Sequence, residues 1–372
     1  MDASSELVHS LLPLYLANSL GASMAVIGVI EGTAEATAQM VKVFSGVLSD
    51  YLGKRKLLAV IGYGMAALSK PIFPLAASVE WVFTARLLDR IGKGIRGAQR
   101  DALIAEVTPL TQRGAAFGLR QALDSVGAFI GPLLAIGLML MLANDLKLAL
   151  WAAVIPALLS VAVLCFGVAE PAARPLSTGK SILWHAATRL TRRYWWVVAL
   201  GIVFTLARFS EAFLLLRAHS VGLNLAWAPS VLVVMSVVYA AVAYPAGVAA
   251  DRLKPRGLLI IGLLFLIAAD GVLAIAANPA MVLLGAALWG IHLGLTQGLL
   301  SKLVADAAPP DLLGTAFGVF NLMSGIAVLV ASVLAGLAWD HYGPAATFAL
   351  GAAFAAFATL GLAVTRTRRF AA

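Results

Sequence analysis

The segment GVLSDYLGKRK at residues 46–56 occurs a second time, in altered form, in the other half of the chain. Two further segments are repeated at almost the same separation. The matching pairs are GVLSDYLGKRK (46–56) with GVAADRLKPRG (247–257), DALIAEVTP (101–109) with SKLVADAAP (301–309), and RGAAFGLRQALDSVGAFIGPLLA (113–135) with LGTAFGVFNLMSGIAVLVASVLA (313–335). The offset of 200 or 201 residues in a chain of 372 predicts two related halves.

Composition predicts that lipid surrounds most of this chain. Apolar residues make up 61% and charged residues 12% of the sequence, whereas soluble domains contain about 45–50% apolar residues. The net charge of +9 comes from short clusters between apolar runs, which is typical of membrane-protein loops and argues against nucleic-acid binding. The lone Cys165 allows no disulfide within the chain, and the opening MDASSELVHS lacks the basic start of a signal peptide.

The apolar runs are long enough to cross a bilayer, which takes roughly 20 residues in a helix. We predict twelve transmembrane helices, at 5–20, 25–47, 57–77, 81–104, 114–139, 146–168, 195–217, 227–249, 257–277, 280–303, 312–336 and 345–365. One set of connections then carries fifteen Lys and Arg residues and the other set only Lys147 and Arg217. The positive-inside rule therefore places both termini in the cytoplasm.

The longest polar stretch, residues 169–194, divides the chain into two parts. We therefore expect an all-α membrane protein with an N-terminal six-helix bundle at 1–168, a cytoplasmic linker at 169–194 and a C-terminal six-helix bundle at 195–372. Paired bundles of this kind are typical of transporters whose binding site lies between two related repeats.

These features make the chain similar to the major facilitator superfamily. The superfamily's loop signature, G-x-L-A-D-x-x-G-R-K, resembles Gly46, Asp50, Gly53, Lys54 and Arg55 here, and a weaker copy contains Asp251 and Arg252. The resemblance implies twelve helices in two pseudo-symmetric bundles, and a gating contact at this loop that latches the cytoplasmic side. The alternative is that these charges only set the topology.

The fifth predicted helix resembles the superfamily's antiporter signature, G-x8-G-x3-G-P-x2-G, through Gly118, Gly127, Gly131 and Pro132. Ala135 replaces the last glycine. The resemblance implies export in exchange for protons. Because small residues also let helices approach closely, ordinary helix packing is the alternative explanation.

The fourth predicted helix carries an unusual number of charges. Seven of them fall within an arc of roughly 140° at 100° per residue: Arg86, Asp89, Arg90, Lys93, Arg96, Arg100 and Asp101. A charge at the bilayer centre costs about 2.5–3.5 kcal/mol, so we expect this face to border water or opposite charges. The superfamily's R-x-x-Q-G-x-G pattern is altered here at Asp89 and Arg90.

Two roles for these charges remain open, and both can hold. They could form a cationic cavity that binds an anionic solute, or a salt-bridge network that joins helices. The candidate substrate-binding residues are Arg86, Arg90, Lys93, Arg96, Arg120, His292 and Gln297; the candidate proton-coupling carboxylates are Glu31, Glu35, Asp89 and Asp124. Lys42 is a further embedded charge, and Arg208, Glu211 and Asp270 are predicted to be structural.

The sequence thus predicts a secondary transporter, not an enzyme, in a bacterial inner membrane. We expect it to move a small amphipathic or anionic solute by alternating access, as a proton-coupled antiporter that exports, and to be a monomer. The absence of Cys/His clusters and of a phosphate-binding loop predicts no metal and no cofactor. Uptake of a siderophore or metabolite, a non-transporting receptor or scaffold, and a lipid-handling role are the alternatives.

Overall fold

The computed structural model describes residues 1–52, 55–109, 112–168, 189–252, 255–309 and 312–364, and within these ranges it contains helices and no strand. The side chains of residues 46–52, 105–106, 113–115, 117–118, 250–252 and 364 lie outside the description. The helices are α1 (Asp2–Asn18), α2 (Met24–Leu52), α3 (Arg55–Ser69), α4 (Ile72–Leu75), α5 (Val79–Val107), α6 (Arg113–Met141), α7 (Leu146–Ala152), α8 (Val154–Gly167), α9 (Arg192–Leu206), α10 (Ala212–Ser220), α11 (Ser230–Arg252), α12 (Pro255–Ile275), α13 (Pro279–Ala307), α14 (Leu313–Tyr342) and α15 (Pro344–Val364). A short 3-10 helix, Leu225–Trp227, precedes α11.

Eight helical stretches of the described residues are long and apolar enough to cross a membrane. The exposed surface of α8 is apolar: in this helix only Ala157 is buried, and Ile155, Leu159, Val163 and Phe166 are exposed. The stretches outside this set are α1, which has 17 residues, α2 and α5, which carry internal charges, and the interrupted pair α9 and α10. The chain is an all-α membrane protein, and the number of twelve crossings stays a prediction.

Three predicted spans are interrupted, and proline explains two of the breaks. Pro71 separates α3 from α4, because proline offers no N–H and disfavours a helical residue before it. Pro156 would clash with the carbonyl of Ala152, where α7 ends, and the nearby Ala153 carbonyl accepts a hydrogen bond from Ser4 Oγ at 2.6 Å. The third break lies between Leu206 and Ala212.

The repeat predicted from the sequence is visible in equivalent helices and in equivalent contacts. The helices α5 and α13 each contain 29 residues and begin 200 positions apart. Lys56, in the first turn of α3, donates from Nζ to the Cys165 carbonyl of α8 at 3.0 Å, and Arg256, in the first turn of α12, donates to the Ala363 carbonyl of α15 at 2.5 Å. In each half a cation therefore binds a carbonyl at the negative end of another helix.

The chain forms two compact units. The first contains Met1–Ala22 and Thr33–Lys180, and the second contains Ser23–Gly32 and Ser181–Ala372. In the first unit α1 packs against α6. The core of the second unit holds a cluster of aromatic rings: Phe209, Phe213, Trp289, Trp339 and Phe348. Most of the predicted linker, residues 169–188, lies outside the described residues, and the predicted domain boundaries stay predictions.

Candidate functional site

A row of four alternating charges crosses the interior of the first unit. Lys70 Nζ lies 2.8 Å from Asp89 Oδ1, Asp89 Oδ2 lies 3.6 Å from Arg90 Nε, and Arg90 Nη1 lies 2.9 Å from Glu35 Oε1. We call Lys70, Asp89, Arg90 and Glu35 the inner ionic chain. Asp89 and Arg90 lie near the middle of α5. They connect Lys70, at the end of α3, with Glu35 in α2. Neighbouring residues of a helix point about 100° apart, which lets Asp89 and Arg90 reach different helices.

The members of the inner ionic chain differ in their contact with solvent. The side chains of Lys70 and Asp89 have 0% exposure, and that of Arg90 has 2%. Glu35 keeps 32% exposure. Glu35 is therefore the one member that is both paired with a buried cation and partly exposed.

A second group of charges, the outer ionic cluster, lies toward the C-terminal end of α5. Its strongest contact is a fork in which Arg100 Nη1 and Nη2 lie 2.8 and 2.9 Å from the two carboxylate oxygens of Asp124. Arg120 lies 2.8 Å from Asp124 and 3.3 Å from Asp101. The remaining contacts of this cluster are Arg96 to Asp2 at 3.2 Å, Arg100 to Asp2 at 3.4 Å and Lys42 to Asp101 at 3.8 Å.

Two more cations lie beside the inner ionic chain. Arg86 is fully buried, and its Nη2 is 2.9 Å from His9 Nδ1. Lys93 is half-buried and lies one helical turn after Arg90 in α5. With these two, the described charges of both groups comprise eight cations and five carboxylates. The cations are Lys42, Lys70, Arg86, Arg90, Lys93, Arg96, Arg100 and Arg120, and the carboxylates are Asp2, Glu35, Asp89, Asp101 and Asp124.

The structure brings most of the sequence-predicted polar residues into these two groups, and places three elsewhere. Glu31 is fully buried but lies in the segment Ser23–Gly32, which belongs to the second unit. His292 packs inside that unit, with Nδ1 2.8 Å from the Gly262 carbonyl and its ring stacked on Phe204. Gln297 is exposed.

The predicted motifs are covered unevenly by the described residues. Gly127 and Gly131 of α6 lie against the first turns of α1, where added methyl groups would approach the Cβ atoms of Asp2 and Glu6. Pro132 lies inside α6. The surroundings of Gly118 and the side chains of the gating motif lie outside the description, except for the half-buried Arg55. The gating residues outside it are Gly46, Asp50, Gly53, Lys54, Asp251 and Arg252.

The sequence analysis missed three participants: Lys70, Asp2 and His9. Lys70 carried the clearest signal, because a lysine at the end of the apolar run before Pro71 needs a partner when it is buried. The described residues contain no group of His, Cys, Asp and Glu that could hold a metal ion.

Comparison with known proteins identifies the class. The sequence model of the Major Facilitator Superfamily matches residues 2–332 and 213–371. The chain therefore belongs to the major facilitator superfamily. The fold, the multi-pass helices and this membership define a membrane transporter and not an enzyme, as the sequence predicted.

The chain is also similar to individual proteins. An uncharacterized MFS-type transporter of Methanocaldococcus jannaschii is 29% identical over 95% of this chain and 89% of its own. The quinolone resistance protein NorA of Staphylococcus aureus is 29% identical over 126 residues, which is 34% of this chain and 32% of NorA. A crystal structure of the nucleoside transporter NupG has a TM-score of 0.77 at 12% identity, and the match covers 98% of this chain and 96% of NupG. That likeness shows the fold alone.

Proposed function

We propose that this protein is a proton-coupled secondary transporter that exports a small anionic or amphipathic solute by alternating access. We further propose a bacterial inner membrane as its location, with both termini in the cytoplasm, a monomeric state and twelve crossings. The observation that carries the proposal is the ion pair between the buried Arg90 and the partly exposed Glu35 inside the first unit.

Glu35 meets the physical requirement for a coupling carboxylate better than Asp89 and Asp124 do. A coupling group must hold a cation or solute in one state and a proton in another, so it needs both a partner and access to water. Asp89 has no exposure and lies between Lys70 and Arg90, and Asp124 is shared by Arg100 and Arg120. We infer that this partial exposure lets a proton compete with Arg90 for Glu35, while the Lys70–Asp89 and Arg100–Asp124 ion pairs stay intact.

Buried positive charges outnumber buried negative charges by three among the described side chains of the first unit, which supports an anionic solute. Among the described side chains of the first unit, Lys70, Arg86, Arg90 and Arg96 are buried cations, and Asp89 is the one buried carboxylate. Cations in a low-dielectric interior attract anions far more strongly than they would in water. We therefore place Arg86, Arg90 and Lys93 on the path of the solute.

One partial match supports export as the direction of transport. NorA is a resistance protein, and its match with this chain spans 126 residues. The glycines of α6 do not decide the direction, because packing of α1 against α6 accounts for Gly127 and Gly131. Uptake remains the competing outcome of the experiment below.

The decisive experiment compares two kinds of flux in proteoliposomes. A panel of small carboxylic acids, each paired with its neutral amide, is screened by counterflow, and hits are then driven by an imposed pH gradient. We expect the acids to be preferred. We expect Glu35→Gln to keep counterflow, which needs no net proton movement, and to lose gradient-driven accumulation by at least about tenfold.

Glu80→Gln is the matched control, because Glu80 is exposed in the first turn of α5. It should transport like the wild type. Gradient-driven transport that survives Glu35→Gln would refute the coupling role of Glu35, and accumulation of the neutral amides alone would refute the anionic solute. Flux that follows the protons inward, instead of opposing them, would replace export by uptake.

A further inference from the structure

The Lys70–Asp89 pair has an equivalent in the second unit, at positions 200 residues later. There Trp289 Nε1 donates to Asp270 Oδ1 at 2.9 Å, and both side chains are fully buried. The helices match as well, because Lys70 follows α3 and Asp89 lies in α5, while Asp270 and Trp289 lie in the equivalent α12 and α13. Each unit thus joins the same two helices by a buried polar contact.

Packing alone does not explain why the first unit uses two opposite charges at this position. A buried ion pair loses about as much free energy by desolvation as it gains by attraction, and neutral replacements are often equally stable. The second unit joins the equivalent helices without a cation, because the Asp270 carboxyl group accepts its hydrogen bond from the Trp289 indole. The charges of Lys70 and Asp89 therefore point to a role beyond joining α3 to α5.

The two units differ at the next residue of the equivalent helix. Arg90 continues the ionic chain to Glu35. Its counterpart, Gly290, instead leaves room for the backbone of α11 at Met235 and Tyr239. Within the residues that the structure describes, the ion pair Lys70–Asp89 is followed by a charged residue, Arg90. The contact Asp270–Trp289, which has no cation, is followed by Gly290.

We propose that Lys70 and Asp89 are positioning residues that set the strength of the Arg90–Glu35 ion pair. Lys70 anchors one carboxylate oxygen of Asp89, and the other oxygen faces Arg90 Nε. Asp89 thereby holds part of the Arg90 charge away from Glu35. This inference rests on the proposed role of Glu35, whereas its test below does not require transport.

The sign of the effect follows from removing both charges together. The double variant Lys70→Met with Asp89→Asn removes one cation and one anion, and Arg90 no longer shares its charge between Asp89 and Glu35. The carboxylate form of Glu35 is then held more tightly, so a proton binds only at a lower pH. The other charged or titratable groups that act on Glu35 are Lys93, Arg86 and His9, and they are unchanged.

The experiment reads proton occupancy at Glu35 directly in the full-length protein. A hydrophobic carbodiimide, which reacts with protonated carboxyl groups, is applied over a range of pH values, and the Glu35 adduct is quantified by peptide mass spectrometry. We expect the labelling midpoint of the double variant to fall by about one pH unit, a tenfold change in proton concentration. Lys70→Arg, which keeps the ion pair, should label at the wild-type midpoint.

Trp289→Phe is the matched control, because it removes the equivalent contact in the second unit and should leave the midpoint unchanged. A double variant that folds and labels at the wild-type midpoint, or at a higher pH, overturns the positioning role. So does an equal shift in Trp289→Phe. Failure of the proposed function is a separate outcome. It would appear as wild-type protein whose solute transport does not respond to a pH gradient, whatever the labelling shows.

Discussion

Replacing Gly131 by alanine should push α1 away from α6 in the first unit. An added Cβ would lie 2.5 Å from Glu6 Cβ, 2.9 Å from Leu7 N and 3.0 Å from the Ala3 carbonyl oxygen. Two of these three atoms belong to the backbone, so no change of rotamer relieves the overlap and α1 must move as a body. Overpacking of this kind costs about 1–3 kcal/mol.

Gly137 gives a control in the same helix, because an added Cβ there meets nothing within 4 Å. Gly137→Ala should be neutral or stabilise the protein by up to about 1 kcal/mol through helix propensity. Thermal unfolding of the detergent-solubilised protein, followed by tryptophan fluorescence, compares the two variants. The packing explanation is wrong if Gly131→Ala unfolds at the same temperature as Gly137→Ala, or above it.

Two further stability predictions use the same unfolding assay. Lys70→Met alone should lower the free energy of unfolding by about 3–5 kcal/mol, because it takes the nearest cation from the buried Asp89. The double variant with Asp89→Asn should recover most of that loss. A double variant that is as unstable as the single variant would contradict the ion pair. Lys56→Met and Arg256→Met should each lower the free energy of unfolding by about 0.5–2 kcal/mol, since each removes a hydrogen bond from a cation to a carbonyl at a helix end. A loss of stability in only one of the two variants would argue against equivalent contacts in the two halves.

The sequence was sufficient to predict the class of fold. Repeated segments at a constant offset indicated two related halves, and apolar runs located the helices to within a few residues, as for α5. It did not predict the interruptions at Pro71 and Ala153, although the prolines that cause them were visible. The periodicity of apolar residues averages over many positions, whereas a break depends on a single missing N–H and one steric clash.

The site was only partly predictable, for a geometrical reason. The helical wheel placed Asp89 and Arg90 on one polar face, but their directions differ by about 100° and a wheel does not show which neighbour each one meets. Lys70 is 19 residues from Asp89 in the chain, and Asp2 is 94 residues from Arg96. Such pairings depend on the rotation of packed helices, which no local pattern contains.

The exposed face of α8 has a consequence for how this protein tolerates substitution. Ile155, Leu159, Val163 and Phe166 are exposed, so exchanging one for another aliphatic or aromatic residue should be nearly silent. Lysine at the same place should oppose membrane insertion by up to about 2.5–3.5 kcal/mol. In the interior the reverse exchange, Lys70→Met, should be harmful. A saturation mutagenesis library would thus show the opposite pattern to that of a water-soluble enzyme: exposed apolar positions would tolerate other apolar residues, and buried charged positions would tolerate few substitutions.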